Sequence, residues 1–296
     1  LSQTLGLVGL GLMGNAIARR LIQAGNKVVG YDISDARRQE FRELGGVAVL
    51  SLQEIARECN IILLSVLTIS QVEDVLEGKG GLAQNLSPSK GPYIVLCTIT
   101  AEPEALIRLA QRVKGQEIEF LDTPVSGTSQ QLLDGDGLGL VAGDLEAIKK
   151  VQRILDIIYP RQCYTGAAGT ATKTKLAINH ILGLNRAALA EGLVFADRLG
   201  LDLEKFLEIA RQSAAYSQIM DVKGRKMIER DFTPSGKISQ HLKDFRIIRN
   251  QAEKLGQQLP FAQKLIEILE ACERHGDGDL DNAISIEEIR RRRIQA

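Results

Sequence analysis

Short apolar runs alternate with amphipathic stretches through the first half of the chain. "TLGLVG" (4–9), "KVVGYD" (27–32), "NIILLSV" (60–66), "YIVLCT" (93–98), "IEFLDTP" (118–124) and "LGLVAG" (138–143) read as strands. Between them, "LMGNAIARRLIQAG", "SQVEDVLEG", "AEPEALIRLAQRVKG" and "DLEAIKKVQRILDII" place apolar residues at helical spacing. Near-continuous apolar strands need cover on both faces, which a parallel sheet between two layers of helices supplies. The pattern predicts a doubly wound α/β domain of the Rossmann type.

After Tyr164 no strand-like run bounded by turns returns. A helical pattern without proline runs through "TKTKLAINHILGLNRAALAEGLVFADRLG" to Gly200, and further amphipathic stretches follow to the end. The expected organisation is an α/β domain over 1–164 and an all-α domain over 165–296, joined by a long helix. The alanine-rich "NRAALAEGL" suggests close helix packing.

Composition narrows the function classes. At 296 residues, with 44% apolar and 25% charged residues, the chain is of ordinary globular type and long enough to bury a substantial core. Lys plus Arg balances Asp plus Glu at 37 each, so no electrostatic footprint for nucleic acid exists, and the basic run Arg290–Arg293 reads as a solvated helix end. Cys59, Cys97, Cys163 and Cys272 lie far apart, which disfavours a zinc site or a disulfide framework. No apolar window suits a membrane span, and the cytoplasm is the expected compartment. The chain begins at Leu1 without the features of a signal peptide, although a removed targeting segment is compatible with a start other than Met.

Gly9-Leu10-Gly11-Leu12-Met13-Gly14 follows the first strand and opens a helix, and Asp32 closes the second strand. In that context the glycines allow a tight turn and bring a pyrophosphate onto backbone N–H groups at the positive helix end. Asp32 would accept hydrogen bonds from the adenosine ribose and repel a 2′-phosphate, so NAD is expected over NADP. Arg37 and Arg38, just downstream, soften that preference and keep NADP possible.

The stretch "LGLVGLGLMGNAIARRLIQAGNKVVGYD" resembles the opening of the β-hydroxyacid dehydrogenase family, which includes 3-hydroxyisobutyrate dehydrogenase, tartronate semialdehyde reductase and, more distantly, 6-phosphogluconate dehydrogenase. Further motifs fall in family order along nearly the whole chain. "DTPVSGTSQQLLDGDG" (122–137) is similar to the family's D-x-P-V-S-G-G-x-x-x-A-x-x-G, with Thr128 in place of the second Gly and Leu132 in place of a small residue. A hydroxyl beside successive N–H groups at a Gly bend suits a carboxylate. The resemblance implies that Ser126, Gly127 and Thr128 bind the substrate's.

"GAAGTATKTKLAIN" (166–179) is similar to G-x-x-G-x-G-x-x-x-K-x-x-x-N, with Ala171 for the third Gly. The motif selects Lys175 over Lys173 as catalytic residue, together with Asn179. Helical geometry agrees, because Lys175 and Asn179 share a face at i, i+4 while Lys173 is followed at that spacing by Ala177. Two weaker matches concern the cofactor: "CTIT" (97–100) aligns Thr100 with the family's D-S-S-T, and "HLKDF" (241–245) aligns Lys243 with a Lys that reaches the cofactor. In "SVLTIS" Leu67 replaces a usual Pro, and the backbone of Val66 and Leu67 remains a candidate contact.

The resemblance implies hydride exchange between the nicotinamide and the β-carbon of a short hydroxy acid, with Lys175 as general acid/base and no metal. A free lysine, at a pKa of ~10.4, is a poor base at neutral pH. Burial and the positive charge of an oxidised nicotinamide would both lower it. Two other readings compete: an imine reductase, against which Lys175, Asn179 and the carboxylate segment argue, and a catalytically silent dinucleotide-binding scaffold.

"DGDLDNAISIEE" (277–288) carries Asp277, Asp279, Asp281 and Glu288 at the ligand spacing of an EF-hand, with Asn282 where Gly is usual. The family's own Asp-containing turn is the favoured reading over calcium. His180, His241 and His275 show no ligand spacing. Ser213, Tyr216 and Ser217 are candidates for contacting the substrate side chain, which sequence does not identify. The family forms dimers or tetramers, so homo-oligomerisation is expected.

Overall fold

The computed structural model describes residues 3–87 and 91–293. The chain divides into two compact units, Leu1–Lys175 and Leu176–Ala296.

In the first unit, six strands form a parallel array: β1 (Thr4–Val8), β2 (Lys27–Tyr31), β3 (Val47–Ala48), β4 (Ile61–Leu64), β5 (Tyr93–Cys97) and β6 (Ile118–Asp122). Their order across the sheet is β3-β2-β1-β4-β5-β6, the doubly wound arrangement with its reversal between β1 and β4. The helices are α1 (Leu12–Gln23), α2 (Asp35–Glu43), α3 (Leu52–Glu58), α4 (Ile69–Glu77), α5 (Pro103–Lys114), α6 (Ser129–Asp134) and α7 (Leu145–Ile158). Because strand side chains alternate between faces, each strand feeds two cores. Leu5, Leu7, Ile61, Leu63, Ile94 and Leu96 pack with α1 and α7. Ile62, Leu64, Tyr93, Val95 and Cys97 pack with α3, α4 and α5 on the other side.

All six apolar runs become strands, but the sheet is not wholly parallel. The last run forms β8 (Leu138–Ala142), antiparallel both to β6 and to a short strand β7 (Val125–Ser126). Only the short α6 separates β7 from β8, too little for a crossover between parallel strands, whereas an antiparallel return needs no crossover. Behind α7, β9 (Arg161–Gly166) adds parallel to β8. Its largely exposed, polar residues carry no apolar run, so hydrophobic patterning passes over it.

The second unit is helical. The 29-residue α8 (Thr170–Arg198) starts in the first unit and continues into the second, followed by α9 (Leu203–Gln212), α10 (Ile219–Glu229), α11 (Ile238–Lys254), α12 (Pro260–Arg274) and α13 (Ser285–Arg291). One core joins α8, α11 and α12, and another joins α8, α9, α10 and α13. At Gly183, α8 meets α11 so closely that a Cβ would lie 2.4 Å from the Phe245 ring. No helix among the described residues is long and apolar enough to cross a membrane.

A second tight contact supports the antiparallel corner of the sheet. Tyr159 is fully buried and donates its hydroxyl to the Thr123 carbonyl at 2.9 Å, and its ring covers Gly139. A Cβ on Gly139 would sit 2.4 Å from Tyr159 Cγ. Gly139→Ala is therefore expected to cost about 1–3 kcal/mol through overpacking. Urea unfolding should show the lower midpoint with an unchanged m value.

Candidate active site

The glycine loop connects β1 to α1, and its three glycines serve different ends. A Cβ on Gly9 (φ +91°) would fall 2.4 Å from the Ser65 carbonyl oxygen, and one on Gly14 would fall 2.0 Å from the Gly9 oxygen. Those two let loop, strand and helix close on each other. At Gly11 the nearest atom to a Cβ is Arg37 Nη1 at 3.8 Å, so this glycine keeps the space before the helix open.

The donors at that opening are not used internally by side chains. α2, α3, α4, α6 and α7 are capped by Ser34, Ser51, Thr68, Thr128 and Asp144, whereas α1 has neither a side-chain cap nor an acidic residue in its first turn. α5 is also uncapped, but Pro103 begins it and has no N–H to offer. The first turn of α1, at Leu12 and Met13, thus presents N–H groups and a positive dipole end, which fits a pyrophosphate. Leu10 is buried, and Met13 packs against the sheet core.

Asp32 stands at the end of β2, 5% exposed. Its Oδ2 accepts the Leu10 N–H at 2.8 Å and its Oδ1 accepts the Ser34 N–H at 2.8 Å. Both oxygens therefore lock the glycine loop to the β2 exit while retaining further acceptor capacity. Arg37, about half exposed, reaches Oδ2 at 3.5 Å. Arg38 is held inward on the Asp32 carbonyl oxygen and on Asp35. Of the two arginines, Arg37 is the one beside Gly11.

Val66, Leu67 and Thr100 lie past the ends of β4 and β5, on the same edge as the glycine loop. The Leu67 N–H is occupied, donating to Gln71 Oε1 at 2.8 Å within the α4 cap. Beyond β6, Ser126 lies in β7 and Gly127 has φ +151°. Thr128 departs from a second glycine for a visible reason. Its Oγ1 accepts the Gln131 N–H at 3.1 Å and its own N–H donates to Gln131 Oε1 at 2.9 Å, forming the capping box of α6. That N–H is withdrawn from any anion nest, which leaves the Thr128 hydroxyl as its donor. Leu132, the other departure, is fully buried in the core.

α8 presents the two lysines differently. Lys175 is 7% exposed and Lys173 is exposed, so the face chosen by motif register is the inward one. Ala171 is fully buried in the first turn, where a small residue fits. Asn179, 8% exposed, donates its amide to Asp244 Oδ2 at 2.9 Å, and Lys243 Nζ lies 3.4 Å from Asp244 Oδ1. Asp244 is the partner that sequence reading overlooked. The "KDF" segment contained it, but the pairing spans 65 residues and has no local signal. Further along the same helix pair, buried Arg186 lies 2.8 Å from His241 Nε2. Burial pulls the Arg186 guanidinium down to about 10, opposed by Asp281.

The remaining candidates are engaged within the helical unit. Ser213 Oγ donates to the Ala210 carbonyl and Tyr216 OH donates to Asp221, while Ser217 lies just before α10. In the 277–288 segment every carboxylate of the proposed calcium spacing faces a cation of the chain: Asp277 faces Arg291, Asp279 faces Lys237, Asp281 faces Lys223, and Glu288 faces Arg291 and Arg292. Asp281 and Lys223 are 0% and 1% exposed, with Nζ at 2.6 and 2.9 Å from the two oxygens. Burial pushes Asp281 upward, but Lys223 and the Ser235 and Ala283 N–H groups outweigh it and hold the carboxyl below its usual range. Burial draws Lys223 down to about 8 against the attraction of Asp281. The segment is a structural turn whose acids neutralise buried and surface bases.

The profile of the NAD-binding domain of 6-phosphogluconate dehydrogenase matches residues 4–166, and that of the NAD-binding domain of NADP-dependent 3-hydroxyisobutyrate dehydrogenase matches 169–289. The chain is 30% identical to 2-hydroxy-3-oxopropionate reductase of Escherichia coli, over 96% of each chain. It is 28% identical to glyoxylate/succinic semialdehyde reductase 2 of Arabidopsis thaliana, over 97% of this chain and 79% of that one. The crystal structure of 3-hydroxyisobutyrate dehydrogenase from Salmonella typhimurium superimposes with a TM-score of 0.87 at 23% identity, covering 97% and 99% of the two chains. A doubly wound sheet with an open glycine loop at its strand exits defines a dinucleotide-binding protein. The chain belongs to the β-hydroxyacid dehydrogenase family of NAD(P)-dependent oxidoreductases.

The buried pair in the helical unit gives a direct stability test. Lys223→Met should cost about 3–5 kcal/mol, because it leaves Asp281 buried without its cation. The double variant Lys223→Met/Asp281→Asn should recover part of that loss, as read by thermal and urea denaturation.

Proposed function

We propose that this protein interconverts a small β-hydroxy acid and its semialdehyde, with Lys175 as general acid/base. The observation that carries the reading is the buried placement of Lys175 one turn before Asn179 on α8, in a chain whose glycine loop is open to a dinucleotide. The nicotinamide, when bound, gives or takes the hydride. The protein's own task is to hold the carboxylate and move the proton.

Ser126 Oγ, the Gly127 N–H and the Thr128 hydroxyl grip the carboxylate. Lys175 takes the hydroxyl proton in oxidation and returns it to the carbonyl oxygen in reduction. Asn179, its amide fixed by Asp244, orients the reacting oxygen through its remaining polar atom. The cofactor lies along Gly9–Gly14, with Asp32 at the ribose and Val66, Leu67 and Thr100 along the strand edge, and the family resemblance adds Lys243 as a cofactor contact. The working division is a dinucleotide-binding domain over 1–164 and a substrate and dimerisation domain over 165–296.

NAD is the preferred cofactor, and NADP is accepted through Arg37, whose guanidinium stands beside both Asp32 and Gly11. Exposed Ile181 and Phe195 on α8 support a homodimer or homotetramer. The cytoplasm remains the proposed compartment.

NAD(P)H formation with 3-hydroxyisobutyrate, D- and L-glycerate, L-serine, L-threonate and 4-hydroxybutyrate tests the reaction class. Clear NAD(P) binding with no turnover on any of them would support a silent scaffold, and imine-dependent NADPH oxidation would support an imine reductase. Lys175→Ala should abolish turnover while NAD binding by calorimetry is largely kept, and Lys173→Ala should alter neither. Near-normal turnover in Lys175→Ala would remove the assignment. Arg37→Ala should raise KM for NADP on the order of tenfold, the loss of one charge-assisted contact, and leave KM for NAD nearly unchanged.

A further inference from the structure

Asp122 ends β6 and is fully buried, yet no step of the reaction above uses it. Its carboxylate does not meet a cation. Oδ2 accepts the Gly169 N–H at 3.1 Å and the Thr172 N–H at 2.9 Å, and Oδ1 accepts the Thr172 hydroxyl at 2.8 Å. Gly169 directly precedes α8 and Thr172 is its third residue. An N-cap side chain ordinarily satisfies donors of this first turn from the adjoining residue. Here the acceptor comes from a strand 47 to 50 residues earlier in sequence.

The consequence concerns Lys175. Thr172 and Lys175 are three residues apart and share a face of α8, and both are buried, at 0% and 7% exposure. Asp122 also lies four positions before Ser126 in the chain. The same carboxylate therefore touches the helix that carries Lys175 and begins the segment that carries Ser126 and Gly127. Thr123 stiffens that segment from the other side, donating its N–H to the Cys97 carbonyl at 2.8 Å while its own carbonyl takes the Tyr159 hydroxyl.

We infer that Asp122 is a positioning residue, a long-range helix cap that fixes Lys175 at the working distance from the carboxylate-binding segment. This rests on the assignment of Lys175 as acid/base. Burial, opposed by the N–H groups of Thr172, Gly169 and Ala171 and by the Thr172 hydroxyl, leaves the Asp122 carboxyl raised to about 6. A leucine or methionine at the end of β6 would escape that cost but could not hold the helix.

The test is a set of four variants assayed for kcat, KM and cofactor affinity, with folding followed by thermal denaturation. Asp122→Ala should lower kcat by about 100-fold, the cost of a small misplacement of a reacting group, with cofactor Kd within twofold of the parent. Asp122→Asn should recover kcat to within about tenfold, since its amide oxygen accepts the two N–H groups and its NH2 donates to Thr172 Oγ1. Thr172→Val, which removes one of the three hydrogen bonds, should lower kcat on the order of tenfold and decides the matter if Asp122→Ala does not fold. Parental kcat in both Asp122→Ala and Thr172→Val overturns the inference, as does parental kcat in Thr172→Val alone where Asp122→Ala is unfolded. Activity retained by Lys175→Ala itself identifies the catalytic assignment, and not the cap, as the error.

Discussion

One row of backbone hydrogen bonds organises the first unit. The residue that leaves each central strand donates its N–H to the last residue of a neighbour: Gly9 to Tyr31, Ser65 to Val8, Thr98 to Leu64 and Thr123 to Cys97. Parallel strands joined by crossovers bring every exit to the same edge, and this row pulls the exits into register before the chain turns away. The glycine loop, Asp32, Val66, Thr100 and the Asp122–Thr128 segment all leave from that edge. A ligand bound there meets loops held by this row of hydrogen bonds, at the strand ends where open α/β sheets bind ligands. The glycines follow from the same crowding, since a Cβ at Gly9 would strike the backbone leaving β4.

Much of this was legible because apolar strands and glycine spacing are local signals. The runs at 4–9, 27–32, 60–66, 93–98 and 118–124 mark five of the six strands of the parallel array directly, the two-residue β3 being too short for a run, and α8 was visible as a long proline-free pattern. Lys175 and Lys173 could be told apart because a helix turns two positions by about 200°, and one of them does point inward. The direction of β8 was not legible, because an apolar run carries no sign of which way it pairs. β9 lacks an apolar run altogether, and the partners of Asn179, Lys223 and Asp122 lie 65, 58 and 47 to 50 residues away.

The acidic segment at 277–288 shows how spacing alone misleads. Carboxylates at calcium spacing suit a metal only if they converge on one point with their charges uncompensated. Lys223 instead penetrates to Asp281, and Lys237, Arg291 and Arg292 meet the others. Asp281 also accepts the N–H groups of Ser235, Gly236 and Ala283, so a single carboxylate ties the turn before α11 to the turn before α13. Buried ion pairs contribute little net stability when desolvation is included, but they are costly to break singly. This pair is better understood as fixing which turns meet than as adding stability.

The same accounting of donors separates structural helix ends from the one left for a ligand. In the first unit, five helix starts are satisfied by a side chain at or beside the cap, and the start of α8 is satisfied by Asp122 across the fold. α5 begins with proline and has one donor fewer to satisfy. The start of α1 alone combines uncapped N–H groups, no nearby acid within its first turn, and an open glycine in front. Unsatisfied donors at a helix start are tolerated when water or a ligand completes them, and an anion completes them best because the helix dipole favours its charge. At α6 the opposite choice was made: Thr128 closes the capping box with Gln131, which strengthens the helix start and withdraws one N–H from the bend at Gly127. On the proposed reading of that bend as the carboxylate grip, the grip depends more heavily on Ser126 and Gly127 than a double-glycine bend requires.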